Sequence, residues 1–490
     1  MRKGFKIVYS FIFLIICALP LCLMPFVKNN AKIEKRELNK LPSFVSDGRL
    51  NIDFSSQFEA WFNDRIPFRS QLLSTANIIK GEALHTPTSN VIVGKDGWLF
   101  YESEGDDYMN TNALTDNQVS AIAVTLSLIE ENITNKGGRF LFVPMPNKAS
   151  VYGEYMPSSY EKADENNLTR VMDKVNELGV NYVDMNAVMT ANKDKGVYHR
   201  RDSHWNYQGA LIGYNAIMDG LGKEHKTYEN AGYTKRKDWR GDLDKLLYPV
   251  GGFMDYQYYY DIDYDNFAFM TPARVTDNKA QLEIFMSDKE LGDEFIVTSN
   301  RQTGDDSSLY MVRDSFGRAL LPFMIDNYAN ATFKRTDCPD VNSISGNCDL
   351  VYEIVERNLG RIIGTAPFMY APLRENSFGE GEDTDENALA ICDVLGYGIR
   401  IYGGIYDGAE IENGRVYVRL ENESDTYTFE AFPIYEKELI EKSKEKLPDD
   451  ITGNVGFSAI LSNEYEWSGR YDLYIICGGK SYEAGSVDIK

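Results

Sequence analysis

The residues of this chain that are best suited to chemistry are Asp202 and His204, which stand two positions apart, next to Trp205. A neutral imidazole accepts a proton from a hydroxyl group, and a carboxylate on its other ring nitrogen fixes the tautomer and stabilises the imidazolium. The 490 residues include only 4 histidines, so a histidine in this setting indicates an acid–base pair. A structural histidine packed beside the indole is the alternative. The pair has no nucleophile next to it in the sequence.

A nucleophile for this pair is predicted at Ser315, in the segment 309–318, where a predicted strand ends and a predicted helix begins. Such junctions lie at the carboxyl edge of a parallel sheet, where α/β proteins keep their sites. We expect the backbone N–H of Ser315 or Phe316 to stabilise an oxyanion there. The segment is similar to a nucleophile elbow without the GxSxG pattern. Alternatively, Ser315 only caps the helix, since Ser and Asp are preferred at that position.

No metal or other cofactor is expected. His204 has no HxH or HxxE companion that would complete a ligand set. The chain also lacks the CxxC and Cys/His spacings that are typical of zinc sites. Cys338 and Cys348 bracket a polar loop, and we expect them to be able to close a small disulfide.

The elements that must position these residues alternate between strand and helix. Apolar runs predict strands at 140–143, 180–183, 309–312 and 349–354, and helical periodicity predicts helices at 117–136, 168–178, 208–221 and 316–325. This alternation predicts an α/β fold of three layers, with a mostly parallel sheet between helices on both faces. A hairpin is predicted at 91–101 around a Lys-Asp-Gly turn.

The chain is long enough for more than one domain. Residues 31–370 hold the alternating pattern, interrupted at 225–305 by a Tyr- and Asp-rich stretch that predicts a β-rich insertion. An acidic stretch at 374–386 is predicted to be a linker. Residues 385–490 alternate polar and apolar side chains at strand spacing, which predicts a C-terminal β-sandwich.

The N-terminal segment predicts where the protein resides. Basic residues precede an unbroken apolar run over 7–27, which is long enough to cross a bilayer as a helix. We therefore expect residues 1–30 to form a single-pass membrane anchor, with the rest of the chain outside the cytoplasm. A cleavable signal peptide is the alternative. The net charge of −23 excludes a nucleic-acid partner, because phosphate backbones are bound by stripes of Lys and Arg.

Several short motifs together carry a family resemblance: the hairpin 91–101, the strand 140–146 with Asn147-Lys148, the Asp-Ser-His-Trp block at 202–205 and the Arg-Asp-Ser-Phe block at 313–316. In this order they resemble the alginate O-acetyltransferase proteins AlgJ and AlgX and the wider DHHW group, over roughly residues 35–365. The resemblance implies an SGNH-hydrolase-like fold with a circularly permuted motif order. It also implies that Ser315 is the nucleophile, His204 the base and Asp202 the residue that orients the base.

Members of this family move acetyl groups onto extracytoplasmic polysaccharides, and a membrane-bound O-acyltransferase delivers the acetyl group. We therefore expect an anchored polysaccharide O-acetyltransferase that works through an acetyl-serine. Two alternatives stay open at this point: an esterase or deacetylase that uses the same three residues, and a non-catalytic envelope protein that binds glycans. Further candidates for contacting the substrate are Phe316, Trp205, Asn147, Tyr198, Arg200 and Arg318, together with Trp239 and Arg313.

Overall fold

The structure is a computed structural model, which describes residues 3–24, 26, 39–46, 49–78, 90–262, 267–271, 274–277, 294–300, 306–384, 388–405, 414–435, 455–465, 467 and 469–489. Its helices are α1 (Lys3–Leu23), α2 (Phe54–Asn63), α3 (Arg69–Ile78), α4 (Glu102–Met109), α5 (Asp116–Asn135), α6 (Lys148–Val151), α7 (Asn167–Glu177), α8 (Met185–Ala191), α9 (Tyr207–Gly220), α10 (Asp242–Leu247) and α11 (Leu321–Met324).

The strands before the C-terminal region are β1 (Val45–Ser46), β2 (Arg49–Leu50), β3 (Val91–Val93), β4 (Leu99–Tyr101), β5 (Phe140–Met145), β6 (Tyr233–Trp239), β7 (Asp255–Tyr260), β8 (Phe267–Thr271), β9 (Arg274–Asp277), β10 (Phe295–Asn300), β11 (Ser308–Arg313), β12 (Asn330–Arg335) and β13 (Cys348–Val355). The later strands are β14 (Leu373–Arg374), β15 (Glu382–Asp383), β16 (Ala388–Leu395), β17 (Gly398–Ile405), β18 (Val416–Glu421), β19 (Thr426–Ile434), β20 (Val455–Ser462), β21 (Gly469–Cys477) and β22 (Lys480–Ile489).

The membrane anchor expected at residues 1–30 finds no support in the structure. Among the residues that it describes, no helix combines the length and the apolar character that crossing a membrane requires.

The central sheet is mixed, with seven described strands in the order β5-β13-β11-β12-β10-β8-β9. The first four strands run parallel to one another, and the last three join antiparallel. The prediction of a mostly parallel sheet therefore holds where β11 carries Ser315 at its end and fails at the far edge. The reason is that β8, β9 and β10, which come from the segment at 225–305, extend the sheet beyond β12 as antiparallel strands.

Helices cover both faces of this sheet, and alternate residues of each strand face opposite sides. In β5, Leu141 and Val143 join an apolar cluster with residues of α8 and α9, whereas Phe140 and Phe142 join a second cluster with α5 and α7. This alternation is what a strand buried on both faces requires. The three-layer α/β arrangement predicted from the sequence is confirmed.

The predicted hairpin at 91–101 is present, since β3 and β4 pair antiparallel around Lys95–Gly97. The predicted strand at 180–183 is wrong. Within that segment only Tyr182 pairs with Phe142, in an isolated bridge. The segment is short because Asp184, the next residue, already caps α8.

The predicted helix at 316–325 begins as a 3-10 helix, Phe316–Leu320, and continues as α11. Pro322 explains why no regular α-helix runs through the segment. Proline has no N–H to donate, and its ring clashes with the carbonyl group four residues earlier. Ser315 is therefore followed by a short 3-10 helix and not by a long regular α-helix.

The C-terminal strands form one sheet instead of the predicted two-sheet sandwich. Its order is β15-β22-β21-β18-β19-β20-β17-β16, and β14 pairs with β19. Because β16 and β22 contact each other, the sheet curls around a single apolar core. The stretch at 374–386, predicted as a linker, contains β15 and part of β14.

The two cysteines expected to form a small disulfide are free thiols. Cys338 and Cys348 each donate to a separate backbone carbonyl, at 3.1 Å and 3.6 Å. The loop between them is held by Lys136 instead, whose Nζ donates to Val341 O at 3.1 Å and to Ile344 O at 3.0 Å.

The packing of α5 against the sheet predicts a large loss of stability for Leu126→Ala, because Leu126 is fully buried. Removing its buried methyl groups leaves a cavity and costs about 2–5 kcal/mol. Thr134→Ala, at an exposed position of the same helix, should change the free energy of unfolding by less than about 0.5 kcal/mol. Urea unfolding followed by circular dichroism measures both values, and equal losses would contradict this packing.

Candidate active site

Asp202 and His204 lie on a tight loop that leads into α9. A bridge between Tyr198 and Trp205 closes the base of the loop. Asn206, the next residue, caps α9 by accepting a hydrogen bond from a backbone N–H of its first turn at 3.0 Å. The start of the helix therefore holds the end of the loop in place.

Lys148 supports the loop from the interior of the protein. It is fully buried, and its Nζ donates to the backbone carbonyls of His199, Arg200 and Asp202 at 3.2, 3.3 and 2.6 Å. Burial lowers the pKa of Lys148, and the three carbonyl acceptors satisfy its three donors. The backbone that leads into the predicted acid–base pair, up to Asp202, is thus tied to the core.

Asp314, not Ser315, caps the helix that follows β11. Asp314 Oδ1 accepts from the backbone N–H of Phe316 at 2.8 Å, and Oδ2 accepts from that of Val355 at 2.9 Å. Within the described residues, the Ser315 hydroxyl makes no capping hydrogen bond. The alternative in which Ser315 serves only as a cap is therefore wrong.

Ser315 and His204 meet although 111 positions separate them in the sequence. Ser315 Oγ lies 2.8 Å from His204 Nε2, and His204 Nδ1 lies 2.7 Å from Asp202 Oδ1. Both distances are those of hydrogen bonds. Hydroxyl, imidazole and carboxylate form one line, which is the order that a nucleophilic serine requires.

Asp202 is fully buried and accepts hydrogen bonds on both oxygens. Besides the ring of His204, Oδ1 accepts from the His204 backbone N–H at 3.1 Å. Oδ2 accepts from Trp239 Nε1 at 2.9 Å and from the Asp242 backbone N–H at 3.1 Å. A buried carboxylate needs such donors, and they hold its plane in one orientation toward the imidazole.

Two carboxylates lie near His204 Nδ1, since Asp202 Oδ1 is 2.7 Å and Asp242 Oδ2 is 3.4 Å from it. Burial lowers the pKa of His204, but the hydrogen bond to Asp202 and the nearby carboxylate of Asp242 outweigh it and raise the pKa to about 9. The site therefore stabilises the imidazolium strongly. Neutral imidazole, the form that accepts a proton, becomes abundant only as the pH approaches that value.

Asp202, His204 and Asp242 are of the types that hold metal ions, and their possible ligand atoms lie within 4.8 Å of one another. The hydrogen-bond donors around them do not fit a cation. Trp239 Nε1–H, the Asp242 backbone N–H and the Ser203 hydroxyl all point at the carboxylate oxygens. This donor set suits a hydrogen-bonded imidazole.

Two cavities include the Ser315–His204 pair in their walls. The larger, of about 800 Å³, is polar and carries four arginines: Arg313, Arg335, Arg357 and Arg361. The smaller, of about 180 Å³, is lined mainly by aromatic rings and also by Arg318. The predicted nucleophile and base are thus accessible from a cleft that is large enough for a sugar.

Two residues predicted to contact the substrate lie inside the protein. Asn147 is fully buried, and its Nδ2 donates to Asp107 Oδ2 at 2.7 Å. Tyr198 is also buried, and its hydroxyl donates to Pro146 O at 2.7 Å. Both side chains are used to hold the interior beneath the loop, which corrects the prediction of a direct contact.

The other predicted contacts have mixed outcomes. Trp205 is buried in the wall of the smaller cavity, where Nε1 donates to Phe316 O at 3.1 Å. Two backbone donors were predicted for an oxyanion, the N–H groups of Ser315 and Phe316. The Phe316 N–H already donates to Asp314 Oδ1, so the Ser315 N–H is the remaining candidate. Arg200 is exposed, with its guanidinium 5.8 Å from the centre of the Trp98 ring.

Sequence reasoning missed the contacts that Trp239 and Asp242 make with the acid–base pair. Trp239 stacks on the His199 ring at 5.0 Å, donates to Asp202, 37 positions away, and also lines the smaller cavity. Asp242 reaches the same carboxylate from 40 positions away. No local period in the insertion indicates either contact.

The raised pKa of His204 predicts that His204→Gln lowers stability in a pH-dependent way. The folded-state value of about 9 lies above the unfolded value of 6.5. Protonation therefore stabilises the fold fully below the unfolded pKa, and this stabilisation is lost as the pH rises through the folded pKa.

Since each pKa unit corresponds to about 1.4 kcal/mol, the difference in unfolding free energy between wild type and His204→Gln should shrink by roughly 3 kcal/mol between about pH 6 and pH 10. Urea unfolding of both proteins across this range measures it. Parallel curves would contradict the raised pKa.

Part of this chain is similar in sequence to known proteins. Residues 91–285 match the family described as SGNH hydrolase-like domain, acetyltransferase AlgX. The probable alginate O-acetylase AlgJ of Pseudomonas aeruginosa is 24% identical over 177 residues, which cover 36% of this chain and 43% of that protein. Its counterpart in Pseudomonas putida is 24% identical over 136 residues, 27% of this chain and 34% of that protein. The chain spans less than half the length of these curated relatives.

Solved structures with similarity include a DHHW family protein from Eubacterium siraeum, 17% identical with a TM-score of 0.43, covering 56% of this chain and 93% of that one. Bacillus cereus PatB1 with a sulfonyl adduct is 16% identical with a TM-score of 0.45, covering 56% of this chain and 97% of that one. The family match and the AlgJ relatives confirm the resemblance inferred from the motifs. The similarity to the SGNH hydrolase-like domain of acetyltransferase AlgX extends over residues 91–285 of this chain.

Proposed function

We propose that this protein transfers acetyl groups to the hydroxyl groups of a polysaccharide through an acetyl-serine at Ser315. The observation that carries the proposal is the line of hydrogen bonds from Ser315 Oγ to His204 Nε2 at 2.8 Å and from His204 Nδ1 to Asp202 Oδ1 at 2.7 Å. Asp202 and His204 lie within the residues that match an acetyltransferase family, and Ser315 follows them. The name of the AlgJ relatives, alginate O-acetylase, supports acetyl as the group and a polysaccharide as the acceptor.

In the first step, Ser315 Oγ attacks the carbonyl carbon of the acetyl donor while its proton passes to His204 Nε2. The Nδ1–H stays bonded to Asp202, whose charge stabilises the imidazolium. The leaving group takes the proton from His204 as its bond to the acetyl group breaks. The Ser315 N–H, at the start of the 3-10 helix, is placed to stabilise the developing oxyanion.

In the second step, a sugar hydroxyl attacks the acetyl-serine and gives its proton to His204 Nε2. The ester bond to Ser315 breaks, and Ser315 Oγ recovers the proton from the imidazolium. Water in place of the sugar would make the same site an esterase. The larger cavity, about 800 Å³ with a mainly polar wall, has room for a sugar residue beside the Ser315–His204 pair.

The proposal includes a location outside the cytoplasm and a donor acylated by a membrane-bound O-acyltransferase. Its support is the family resemblance and the chemistry of the two steps. Both steps exchange an acetyl group between hydroxyl oxygens or similar nucleophiles, so they need an acylated partner and no cofactor.

Replacing the nucleophile tests the first step. Ser315→Ala should lower the rate of p-nitrophenyl acetate cleavage by at least about 10³-fold, because no side chain is left to form the acyl-enzyme. Ser308→Ala, at the other end of β11, is the matched control and should keep wild-type activity. Intact-protein mass spectrometry should detect one added acetyl group on wild type and none on Ser315→Ala. Activity that survives in Ser315→Ala would overturn the assignment.

Offering an acceptor separates transfer from hydrolysis. With wild-type protein and an acetyl ester, alginate oligosaccharides should gain acetyl groups, and the yield of free acetate should fall in proportion. Mass spectrometry of the sugars and an acetate assay measure both products, with neutral cello-oligosaccharides as the comparison. Acetate as the sole product with every acceptor would favour the esterase alternative.

A further inference from the structure

The start of α10 is pressed against the loop that carries Asp202 and His204. Gly241, which precedes the helix, has no room for a side chain, since a Cβ there would lie 2.0 Å from Arg201 O and 2.8 Å from Asp202 N. The Asp244 backbone N–H donates to Arg201 O at 3.1 Å. A buried ion pair between Arg201 Nε and Asp244 Oδ1, 2.6 Å apart, adds to this contact. The insertion is therefore part of the site's framework.

This contact delivers the carboxylate of Asp242 to His204. Asp242 Oδ1 accepts from the Ser203 backbone N–H at 2.7 Å, and Oδ2 accepts from the Ser203 hydroxyl at 2.6 Å. The same hydroxyl lies 3.2 Å from His204 Nδ1, and Oδ2 itself lies 3.4 Å from it. Ser203 thus holds Asp242 in a fixed position beside the ring nitrogen that also faces Asp202.

We propose that Asp242 is a second carboxylate acting on His204, a positioning residue that stabilises the imidazolium together with Asp202 and sets the pH range in which the base is neutral. The proposal rests on the acyl-transfer function of Ser315 and His204. During attack, the Ser315 proton moves to His204 Nε2, and the positive charge that forms on the ring is shared between two negative groups on its Nδ1 side.

The two carboxylates differ in their exposure to water. The Asp202 side chain is 0% exposed, whereas the Asp242 side chain is 40% exposed and lines the larger cavity. Water screens the charge of Asp242 in the empty site. A substrate that fills the cavity displaces this water, so the attraction between Asp242 and the imidazolium becomes stronger when the reaction needs it.

Other charged groups share the cavity with His204. The four arginines named above repel an imidazolium, while Glu294, Asp314 and Asp337 attract it. Arg318 and Tyr207 line the smaller cavity. Among the described residues, Asp202 and Asp242 are the carboxylates within 4.0 Å of the His204 ring nitrogens. Removing the Asp242 charge should therefore change the titration of His204 more than removing a carboxylate elsewhere in the insertion.

The test is the pKa of His204, measured by NMR titration of the imidazole in the full chain, with His204→Gln to assign its signal. Asp242→Asn should lower this pKa by about 1 unit, because an opposite charge is lost. Asp242→Ser is a second neutral variant that suits the start of a helix. Asp242→Glu should return the pKa toward the wild-type value.

Asp238→Asn is the matched control. Asp238 lies in the same insertion, on β6, and pairs with Arg236 at 2.9 Å at the surface. It should leave the His204 pKa unchanged. The proposal is overturned if the neutral Asp242 variants keep the wild-type pKa, or if Asp238→Asn shifts it equally.

Kinetics provide the second readout. In Asp242→Asn, the acidic limb of the kcat/KM profile should move to lower pH by the same shift as the NMR pKa, while kcat on the plateau falls because the imidazolium is less stabilised. A pKa shift in a protein that transfers no acetyl group would reject the acyl-transfer function and keep the positioning role. Acetyl transfer with an unshifted limb would reject the positioning role alone.

Discussion

A buried carboxylate is stable only when hydrogen-bond donors surround its charged oxygens. Asp202 is such a carboxylate, and its donors connect separate parts of the protein. Its donors come from three parts of the chain: the loop of His204, the end of β6 at Trp239 and the first amide of α10 at Asp242. Leaving such a charge unpaired costs several kcal/mol. The loop that carries His204 and the insertion therefore have to fold against each other, and the orientation of the imidazole follows from that contact.

Ser315, the proposed nucleophile, depends on how its neighbours at the end of β11 share the hydrogen bonds there. Asp314 takes the capping function, and its own backbone N–H donates to the buried Glu353 at 3.0 Å. Burial, with the nearby Asp314 charge, raises the pKa of Glu353 well above its usual range. Gly317 permits this crowding, since a Cβ there would lie 2.7 Å from both Arg313 and Glu353. Ser315 is thus held by its neighbours while its hydroxyl stays available.

Polar residues beneath the loop act as supports. Asn147, Lys148 and Tyr198 are all buried, and their side chains bond to the interior or to the backbone of the loop. The motif Asn147-Lys148 was part of the family resemblance. In the structure, Asn147 bonds to the interior residue Asp107, and Lys148 bonds to the backbone of the loop that carries Asp202. The arginines of the larger cavity come from segments distant in sequence: Arg313 and Arg335 end β11 and β12, and Arg357 and Arg361 lie in the 3-10 helix after β13.

By itself the sequence determined the elements whose apolar residues repeat regularly, such as α5, α9, β5 and β11, to within two residues at each end. It also determined the pairing of Asp202 with His204 and the place of Ser315 at a strand end, because these are local patterns. Only the tertiary structure decided that Asp314 caps in place of Ser315 and that Trp239 and Asp242 complete the surroundings of His204. Those contacts form because the insertion packs against a loop some 40 positions away in the sequence. The insertion has no regular spacing of apolar residues, and the secondary-structure preferences of its residues do not specify where it packs.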